Sequence, residues 1–294
     1  MVDNLKTVVS SATKTVEIHR ANPTVIIGER INPTGRKVVL AALKEGNFDI
    51  VRKDARDQVA VGAQILDVNA GVPGADEPAL LLQVMQTVME ETDVPLCIDT
   101  ANKQALAQAL AAYEGKALVN SVNGEEKSLS MVLPLVQEHG AAVIGLCMDD
   151  DGIPPTPEKR LAVADKILNR AGQRGIGPEN VVIDPLVLTM GADSKAGWVA
   201  LRTVELVVKE LGVNITMGAS NVSFGIPDRP LINSTFIAMA VYAGLTCPIT
   251  NPLVPEIVTA LLAADLCMGR DDYGMHWIRA YRKRQKEAQA KQAK

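Results

Sequence analysis

Eight short apolar segments follow one another along the chain, and each ends in a polar residue. They are VIIGERIN (25–32), QILDVNAG (64–71), PLCIDT (95–100), ALVNSVNG (117–124), AVIGLCMDD (142–150), VVIDPL (181–186), NITMGASNVS (214–223) and CPITNP (247–252). A stretch with helical spacing follows each of them, so a strand and then a helix are repeated eight times. This order predicts an α/β fold, a closed parallel (β/α)8 TIM barrel.

The polar residues at the predicted strand ends are mostly Asp or Asn. They are Glu29, Asn32, Asp67, Asn69, Asp99, Asn120, Asp149, Asp184, Asn221 and Asn251. In a parallel barrel the chemistry lies at the carboxyl ends of the strands, because the loops from strand to helix converge there. We expect such a rim to suit a neutral heterocycle rich in hydrogen-bonding groups better than a phosphate.

The length of 294 residues is close to the roughly 250 that one such barrel needs. We therefore predict a single domain over 1–294, with 1–22 as an amphipathic helix or arm and 270–294 as a C-terminal helix. A net charge of −4 argues against a nucleic-acid partner. No apolar run approaches the roughly 20 residues of a membrane span, so we expect a cytoplasmic protein that does not enter a membrane.

Neither the cysteines nor the histidines predict a metal site or a catalytic triad. The four cysteines form no C-x-x-C pair and have no histidine cluster beside them. Most lie in or beside apolar strands, so we expect buried, reduced, structural thiols. The three histidines fall on predicted helices or arms and not at strand ends, which disfavours histidine-based acid–base chemistry.

Two carboxylates, Asp99 and Asp184, follow runs of apolar residues and must be paired or bound to something. A fused amino-pyrimidinone ring offers adjacent N–H donors that a carboxylate accepts, and the amides of Asn120 and Asn221 can both donate and accept. The alternative for each carboxylate is a helix N-cap or a salt bridge to a neighbouring strand, and the alternative for each amide is a turn closed by the side chain itself. The Asp67 and Asn69 side chains are candidates for organising the rim.

Two further features complete this interpretation of the rim. Glu29 and Arg30 are expected to have a structural role, each pairing with neighbours inside the barrel mouth. The loops at 149–157 and 219–230 are long for a compact barrel, and loops of that length at this face are usually functional or mobile.

The strand ends resemble a known family. The segments that carry the likeness are GERINPTG (28–35), LDVNAG (66–71), IDT (98–100), NSVNG (120–124), IGL (144–146), IDPL (183–186), SNVSFG (220–225) and RPLIN (229–233). They resemble the pterin-binding methyltransferases, which include methyltetrahydrofolate:corrinoid methyltransferases and the folate module of cobalamin-dependent methionine synthase. The likeness runs from about residue 24 to residue 262.

This resemblance implies a pterin-binding TIM barrel that moves a methyl group between N5 of tetrahydrofolate and the cobalt of a corrinoid. It assigns pterin contacts to Asp99, Asn120 and Asp184, places Asp67 and Asn69 near the pterin, and gives Asn221 the contact with the reactive nitrogen. These six positions follow from the resemblance.

The resemblance also implies partners and a setting. The chain lacks a corrinoid-binding D-x-H-x-x-G motif, so the cobalamin is expected on a separate corrinoid protein, with methyltetrahydrofolate or tetrahydrofolate as substrate and no metal bound by this chain. A homodimer and a role in anaerobic one-carbon metabolism are implied too. The apolar segment around 268–278 is a candidate dimer contact or a cap on the barrel. The sequence favours neither direction of methyl transfer.

Three other functions compete with this interpretation. A dihydropteroate synthase shares the pterin pocket, but it needs basic residues for a diphosphate, and ASNVSFG, TNPLVPE and VNAGVPGADEP contain none. A non-catalytic folate-binding or corrinoid-docking subunit is the second. A barrel enzyme acting on a phosphorylated metabolite is disfavoured because the phosphate-loop glycines after strands 7 and 8 are missing.

Overall fold

The structure, a computed structural model, describes residues 5–292. Its main sheet contains β3 (Ile27–Ile31), β4 (Ile65–Asn69), β5 (Leu96–Asp99), β6 (Leu118–Asn123), β7 (Ala142–Leu146), β8 (Val181–Asp184) and β9 (Ile249–Thr250). These strands are parallel and run in the order β8-β7-β6-β5-β4-β3-β9. The predicted α/β barrel with consecutive parallel strands is confirmed.

The predicted seventh strand, at 214–218, lies between β8 and β9. Ile215 bridges to Ile183, and Gly218 bridges to Ile249, both in parallel orientation. The contact is limited to isolated bridges because the chain turns at once into a 3₁₀ helix at Ala219–Ser223. This segment therefore closes the ring without forming a regular strand.

Helices follow the strands as the spacing predicts. They are α1 (Lys37–Lys44), α2 (Asp49–Ala60), α3 (Glu77–Glu91), α4 (Lys103–Ala112), α5 (Glu126–Glu138), α6 (Pro157–Gly172), α7 (Ala196–Leu211), α8 (Arg229–Ala243), α9 (Pro255–Cys267) and α10 (Met275–Gln292). Side-chain oxygens of Asp76, Asn102 and Thr156 accept N–H groups in the first turns of α3, α4 and α6, which fixes where these helices begin.

The prediction of a helix within 1–22 is wrong for the described part of that segment. It forms an antiparallel hairpin of β1 (Thr7–Ser10) and β2 (Thr15–Ile18). Its sequence is rich in Val, Ile and Thr, which favour strands, and burial alternates along both strands. Val9, Val16 and Ile18 pack with the inner residues of the barrel, so the hairpin closes one end of the barrel.

The inside of the barrel is layered along the strands. One layer is apolar and consists of Ile27, Ile65, Cys97, Leu118, Ile144 and Val182. Because side chains alternate between the two faces of a strand, the residues two positions later point the same way. Those residues are Glu29, Asp67, Asp99, Asn120, Leu146 and Asp184. The sheet thus places a mostly polar layer directly above an apolar plug, at the end where the strands finish.

The cysteines divide into two groups. Cys97, Cys147 and Cys247 are buried, as predicted, whereas Cys267 at the end of α9 is exposed, so that prediction is wrong for one thiol. Within 5–292, no helix is long and apolar enough to cross a membrane.

Candidate active site

Four of the six predicted site residues are joined by hydrogen bonds at the ends of β4, β5 and β6. The Asn120 amide donates to Asp67 Oδ1 at 3.0 Å, and the Asn69 amide donates to Asp99 Oδ2 at 3.0 Å. Strand register makes this cluster possible, because Asn69 is level with Asp99 and Asp99 is level with Asn120. A third amide, that of Asn32, reaches Asp99 Oδ2 at 3.4 Å.

Of the two carboxylates of this cluster, Asp67 is buried and Asp99 is half-buried, and they are close enough to influence each other. Burial, reinforced by the negative charge of Asp99, raises the pKa of Asp67 well above its usual range. Burial also raises the pKa of Asp99, to about 6, although the Asn69 amide lowers it. The pair therefore favours retention of a proton near neutral pH, and the amides of Asn69 and Asn120 stabilise the charge that remains.

The fifth predicted residue, Asp184, lies in the same layer at the end of β8. It is buried, and its Oδ1 accepts the backbone N–H of Leu186 at 2.7 Å. Burial raises the pKa of Asp184 to about 7, although the backbone N–H groups of Leu186 and Gly218 and the positive charge of Arg160 lower it. The Asp184 side chain thus closes a local turn, which was not among the alternatives expected for it, yet a carboxylate with up to four acceptor positions keeps capacity for a ligand.

The sixth residue, Asn221, differs from the others. It is exposed, lies on the 3₁₀ helix after Gly218, and forms no side-chain hydrogen bond to another residue of the described chain. A Cβ atom built on Gly218 would lie 2.9 Å from Asn221 Nδ2. Gly218 is a residue beside the site that the strand-end pattern does not predict, since a side chain there would displace the Asn221 amide from this position.

Glu29 connects the turn that carries Asn221 to the carboxylate cluster. Its carboxylate accepts the Ser220 hydroxyl at 3.3 Å, and burial raises its pKa. Its charge also contributes to the raised pKa of Asp67. Arg30 points elsewhere: its Nε is buried without a partner in the described structure, and its backbone N–H donates to Gln58 at 2.9 Å.

A cavity of about 430 Å³ opens beside the cluster. It is lined by Asp99, Thr100, Ala101, Asn120, Ser121, Asn123, Glu125, Lys127, Ser128, Met131 and Leu146. The pattern of polar residues at the strand ends does not predict that α5 lines this cavity. One signal in the sequence points to this lining: Lys127, Ser128 and Met131 share one face of the helix that begins directly after β6.

Two of the polar strand ends form only local side-chain hydrogen bonds within the described chain. Asn251 Oδ1 accepts the N–H of Leu253, and Asp149 Oδ1 accepts the N–H of Asp151, so each side chain closes its own loop. Among residues 5–292 no group of three or more His, Cys, Asp or Glu side chains is arranged to hold a metal ion.

Comparison with known proteins identifies relatives of this chain. The chain is 29% identical over 262 residues to a methylcorrinoid:tetrahydrofolate methyltransferase of Eubacterium limosum, a match that covers 88% of this chain and 96% of that protein. It is also 29% identical over 241 residues to methionine synthase of Mycobacterium tuberculosis, covering 77% of this chain and only 20% of that longer protein.

Solved structures show the same fold at lower identity. Dihydropteroate synthase from Thermus thermophilus, in complex with 4-aminobenzoate, superposes with a TM-score of 0.66 at 21% identity, covering 88% of this chain and 99% of that one. The dihydropteroate synthase of Xanthomonas albilineans gives 0.65 at 18% identity, covering 90% and 98%. A family model described as pterin binding enzyme matches residues 28–251. The chain belongs to the pterin-binding enzyme family.

Proposed function

We propose that this chain is a methyltransferase that moves a methyl group between N5 of tetrahydrofolate and the cobalt of a corrinoid bound by a separate protein. The observation that carries the proposal is the polar layer at the barrel mouth, where carboxylates and amides are hydrogen bonded at the ends of β4, β5 and β6 and Asn221 follows the segment between β8 and β9 at the same end of the barrel. The resemblance to the methylcorrinoid:tetrahydrofolate methyltransferase, along nearly the whole of that protein, supports the same reaction.

The carboxylates supply the binding chemistry. The pterin ring of a reduced folate carries adjacent N–H donors, and ionised Asp99 and Asp184 accept such donors. Asn120 can donate to a ring carbonyl or accept from a ring N–H. Asp67 and Asn69 fix the orientation of these groups, since each is hydrogen bonded to one of them.

Asn221 supplies the group that acts on the reacting nitrogen. In the demethylating direction N5 takes up a proton, the cobalt nucleophile attacks the methyl carbon, the C–N5 bond breaks, and its electron pair stays on N5, which leaves as a neutral amine. A tertiary amine is a poor leaving group, so N5 must first gain positive character. The side-chain oxygen of Asn221 can accept a hydrogen bond from protonated N5, and this bond strengthens as positive charge develops on N5, so it lowers the barrier more than it improves affinity.

The corrinoid partner must approach this mouth from outside. The chain contains no corrinoid-binding motif, and the loops at 149–157 and 219–230 border the entrance. Both are held to the barrel by hydrogen bonds, for example from Arg160 to Pro154 and from Thr189 to Phe224. We propose that these loops form the rim on which the corrinoid protein docks.

The decisive test is an anaerobic assay with methyltetrahydrofolate and cob(I)alamin that follows the cobalt spectrum. Formation of methylcobalamin supports the proposal. Binding of the folate without methyl transfer in either direction would contradict it and favour a synthase or a folate-binding subunit. A second assay starts from methylcobalamin and tetrahydrofolate and follows the reverse reaction. The direction of transfer in the cell is set by the pathway and not by the site.

Dihydropteroate synthase is the second candidate, favoured by the solved structures with the same fold. It must hold a diphosphate leaving group, and within the described chain the cavity beside Asp99 has Lys127 as its one basic lining residue. The nearby Arg229 donates to the Ser220 carbonyl and the Ser223 hydroxyl. An assay with 4-aminobenzoate and a dihydropterin diphosphate is expected to give no dihydropteroate.

Four further statements stay predictions. They are the single-domain organisation, the cytoplasmic location, the homodimer and the role in anaerobic metabolism. The candidate dimer segment around 268–278 contains exposed apolar residues, including Met268, Met275 and Ile278. Sedimentation analysis of the purified chain tests the homodimer directly.

A further inference from the structure

A buried arginine lies behind the site, and its hydrogen bonds within residues 5–292 go to backbone carbonyls. Arg160 on α6 is only 2% exposed. Its Nε donates to the Pro154 carbonyl at 2.8 Å, and its Nη1 donates to the carbonyls of Pro185 and Leu186 at 2.9 and 2.7 Å. A guanidinium spreads its donors over three nitrogens in one fixed plane, so it can hold carbonyls that lie apart; a lysine carries its three donors on a single atom and lacks this geometry.

One of these carbonyls belongs to a residue in an unusual conformation. Leu186 has a φ of 63°, in the left-handed region that non-glycine residues rarely adopt. Such a conformation persists only when the surroundings hold it. Here Arg160 holds the Leu186 carbonyl, while the N–H of the same residue donates to Asp184 Oδ1.

We propose that Arg160 is a positioning residue that orients the Asp184 carboxylate for the ligand by holding the Leu186 backbone in its left-handed conformation. The inference deepens the proposed function, since it rests on Asp184 as a pterin contact. Arg160 also links the loop at 149–157 to the end of β8, because one of its three acceptors lies in that loop. Without it, Leu186 is expected to relax to an ordinary conformation and withdraw its N–H from Asp184.

The charged and titratable groups around Asp184 determine the pH at which its carboxyl group titrates. Arg160 faces it from α6, Cys147 from the end of β7 and Cys247 from the start of the β9 segment. The Gly218 N–H also donates to it, and Asp193 acts on Arg160. Both thiols have pKa values raised by burial, so they stay neutral, and Arg160 is the nearby positive charge among these groups.

The central variant is Arg160→Lys, which keeps the positive charge but gathers its donors on one atom, so it loses the separate Nε and Nη1 positions that hold Pro154 and Leu186. The matched control is Arg170→Lys on the same helix, where the arginine pairs with Glu126 near the surface. Aspartate carboxyl carbons are labelled with ¹³C, the Asp184 signal is assigned with Asp184→Asn, and its titration is followed in the ligand-free protein. Affinity for methyltetrahydrofolate is then measured calorimetrically from pH 6 to pH 9.

We expect Arg160→Lys to raise the Asp184 midpoint by about one pH unit, the effect of losing one hydrogen bond to a charged group. Affinity at pH 7 then falls about fivefold, because the ionised fraction drops from about a half to about a tenth, and it recovers near pH 9. Adding Leu186→Gly should move the midpoint back, since glycine adopts this φ without strain. Arg170→Lys should change neither quantity.

An unchanged Asp184 midpoint in Arg160→Lys would overturn the proposal. Should that variant fail to fold, Arg160→Gln, whose amide can still donate to one carbonyl, is measured in the same way; failure of both to fold would assign Arg160 to stability alone and overturn the proposal too. The two hypotheses stay separable: a shifted midpoint in a protein that binds no folate refutes the proposed function and leaves the positioning intact.

Discussion

On one side of the barrel mouth, the carboxylates and amides at the ends of β4, β5 and β6 are hydrogen bonded to each other and largely buried. On the other side, Asn221 lies exposed on a short 3₁₀ helix, and its side chain has no hydrogen-bonding partner within the described chain. The first side is fixed by strand register, whereas the second depends on the turn that follows Gly218.

This difference suggests a division of labour between the two sides. Groups that are already held in place lose little freedom when a ligand arrives, so they suit the recognition of a rigid ring. A group without a partner can form its hydrogen bond as charge changes on the reacting atom, which is where a bond contributes to rate. Exchanging residues on the two sides should therefore change different quantities.

The largest effect is expected for Asn221→Ala. If this amide acts on N5 in the transition state, methyl transfer falls about 10²- to 10³-fold, the scale found when one hydrogen-bonding group that acts in a transition state is removed. Folate affinity and the unfolding midpoint should hardly change, because the side chain is exposed and bonds to no other side chain or carbonyl within 5–292. Stopped-flow measurement of methylcobalamin formation, alongside calorimetry, separates the two quantities.

The control for that variant is Asn251→Ser, at the neighbouring strand end. Asn251 uses its oxygen to accept the Leu253 N–H, and a serine hydroxyl can accept the same group. A comparable loss of rate in both variants would mean that any change at this rim slows the reaction. The contrast between the two sides of the mouth would then have no basis.

The next effect concerns the fixed side. Asp99→Asn removes the charge that is expected to accept ring N–H donors, so affinity for methyltetrahydrofolate should fall about 10- to 100-fold, the cost of one hydrogen bond to a charged group. The rate at saturating folate should change much less than in Asn221→Ala. If the main loss appears in the rate and not in the affinity, the proposed division between binding and chemistry is wrong.

The barrel itself was predictable because two periodic signals agree. Apolar strands buried on both faces form continuous apolar runs, and the helices after them show a spacing of 3.6 residues. The N-terminal hairpin was not predictable on the same basis. Its pattern of Val, Ile and Thr is short, and its burial against the barrel interior depends on contacts with distant strands.

The site was predictable as far as strand geometry determines it. Asp67, Asp99, Asn120 and Asp184 all follow an inward-facing apolar residue by two positions, which is enough to bring them to one layer. The sequence could not show that the side chains at other strand ends close their own loops, as Asn251 does, because that depends on local backbone angles. The role of Arg160 was hidden for a related reason, since its partners are carbonyls.

A smaller effect is expected from pH on the unmodified protein. Asp184 has a pKa raised to about 7, and Asp99 one raised to about 6. Both carboxylates therefore lose their charge as pH falls from about 8 to about 5.5, and neutral carboxyls accept N–H donors less well. Folate affinity should fall about tenfold or more over this range, measured calorimetrically in matched buffers. Asp184→Asn should flatten the profile; an equally steep profile in that variant would exclude Asp184 as the titrating group.

The smallest effect tests the fixed side without any ligand. Asn120→Ala leaves Asp67 Oδ1 without its donor in a buried position, which costs about 1–3 kcal/mol of unfolding free energy. Part of that cost is offset because Asp67 already favours its neutral form. Thermal unfolding should therefore shift downward by about 2–6 °C, whereas Asn221→Ala, which breaks no hydrogen bond within the described chain, should leave the midpoint in place. Equal midpoints for both variants would show that the cluster is not preorganised by its own hydrogen bonds, and that ligand binding must arrange it instead.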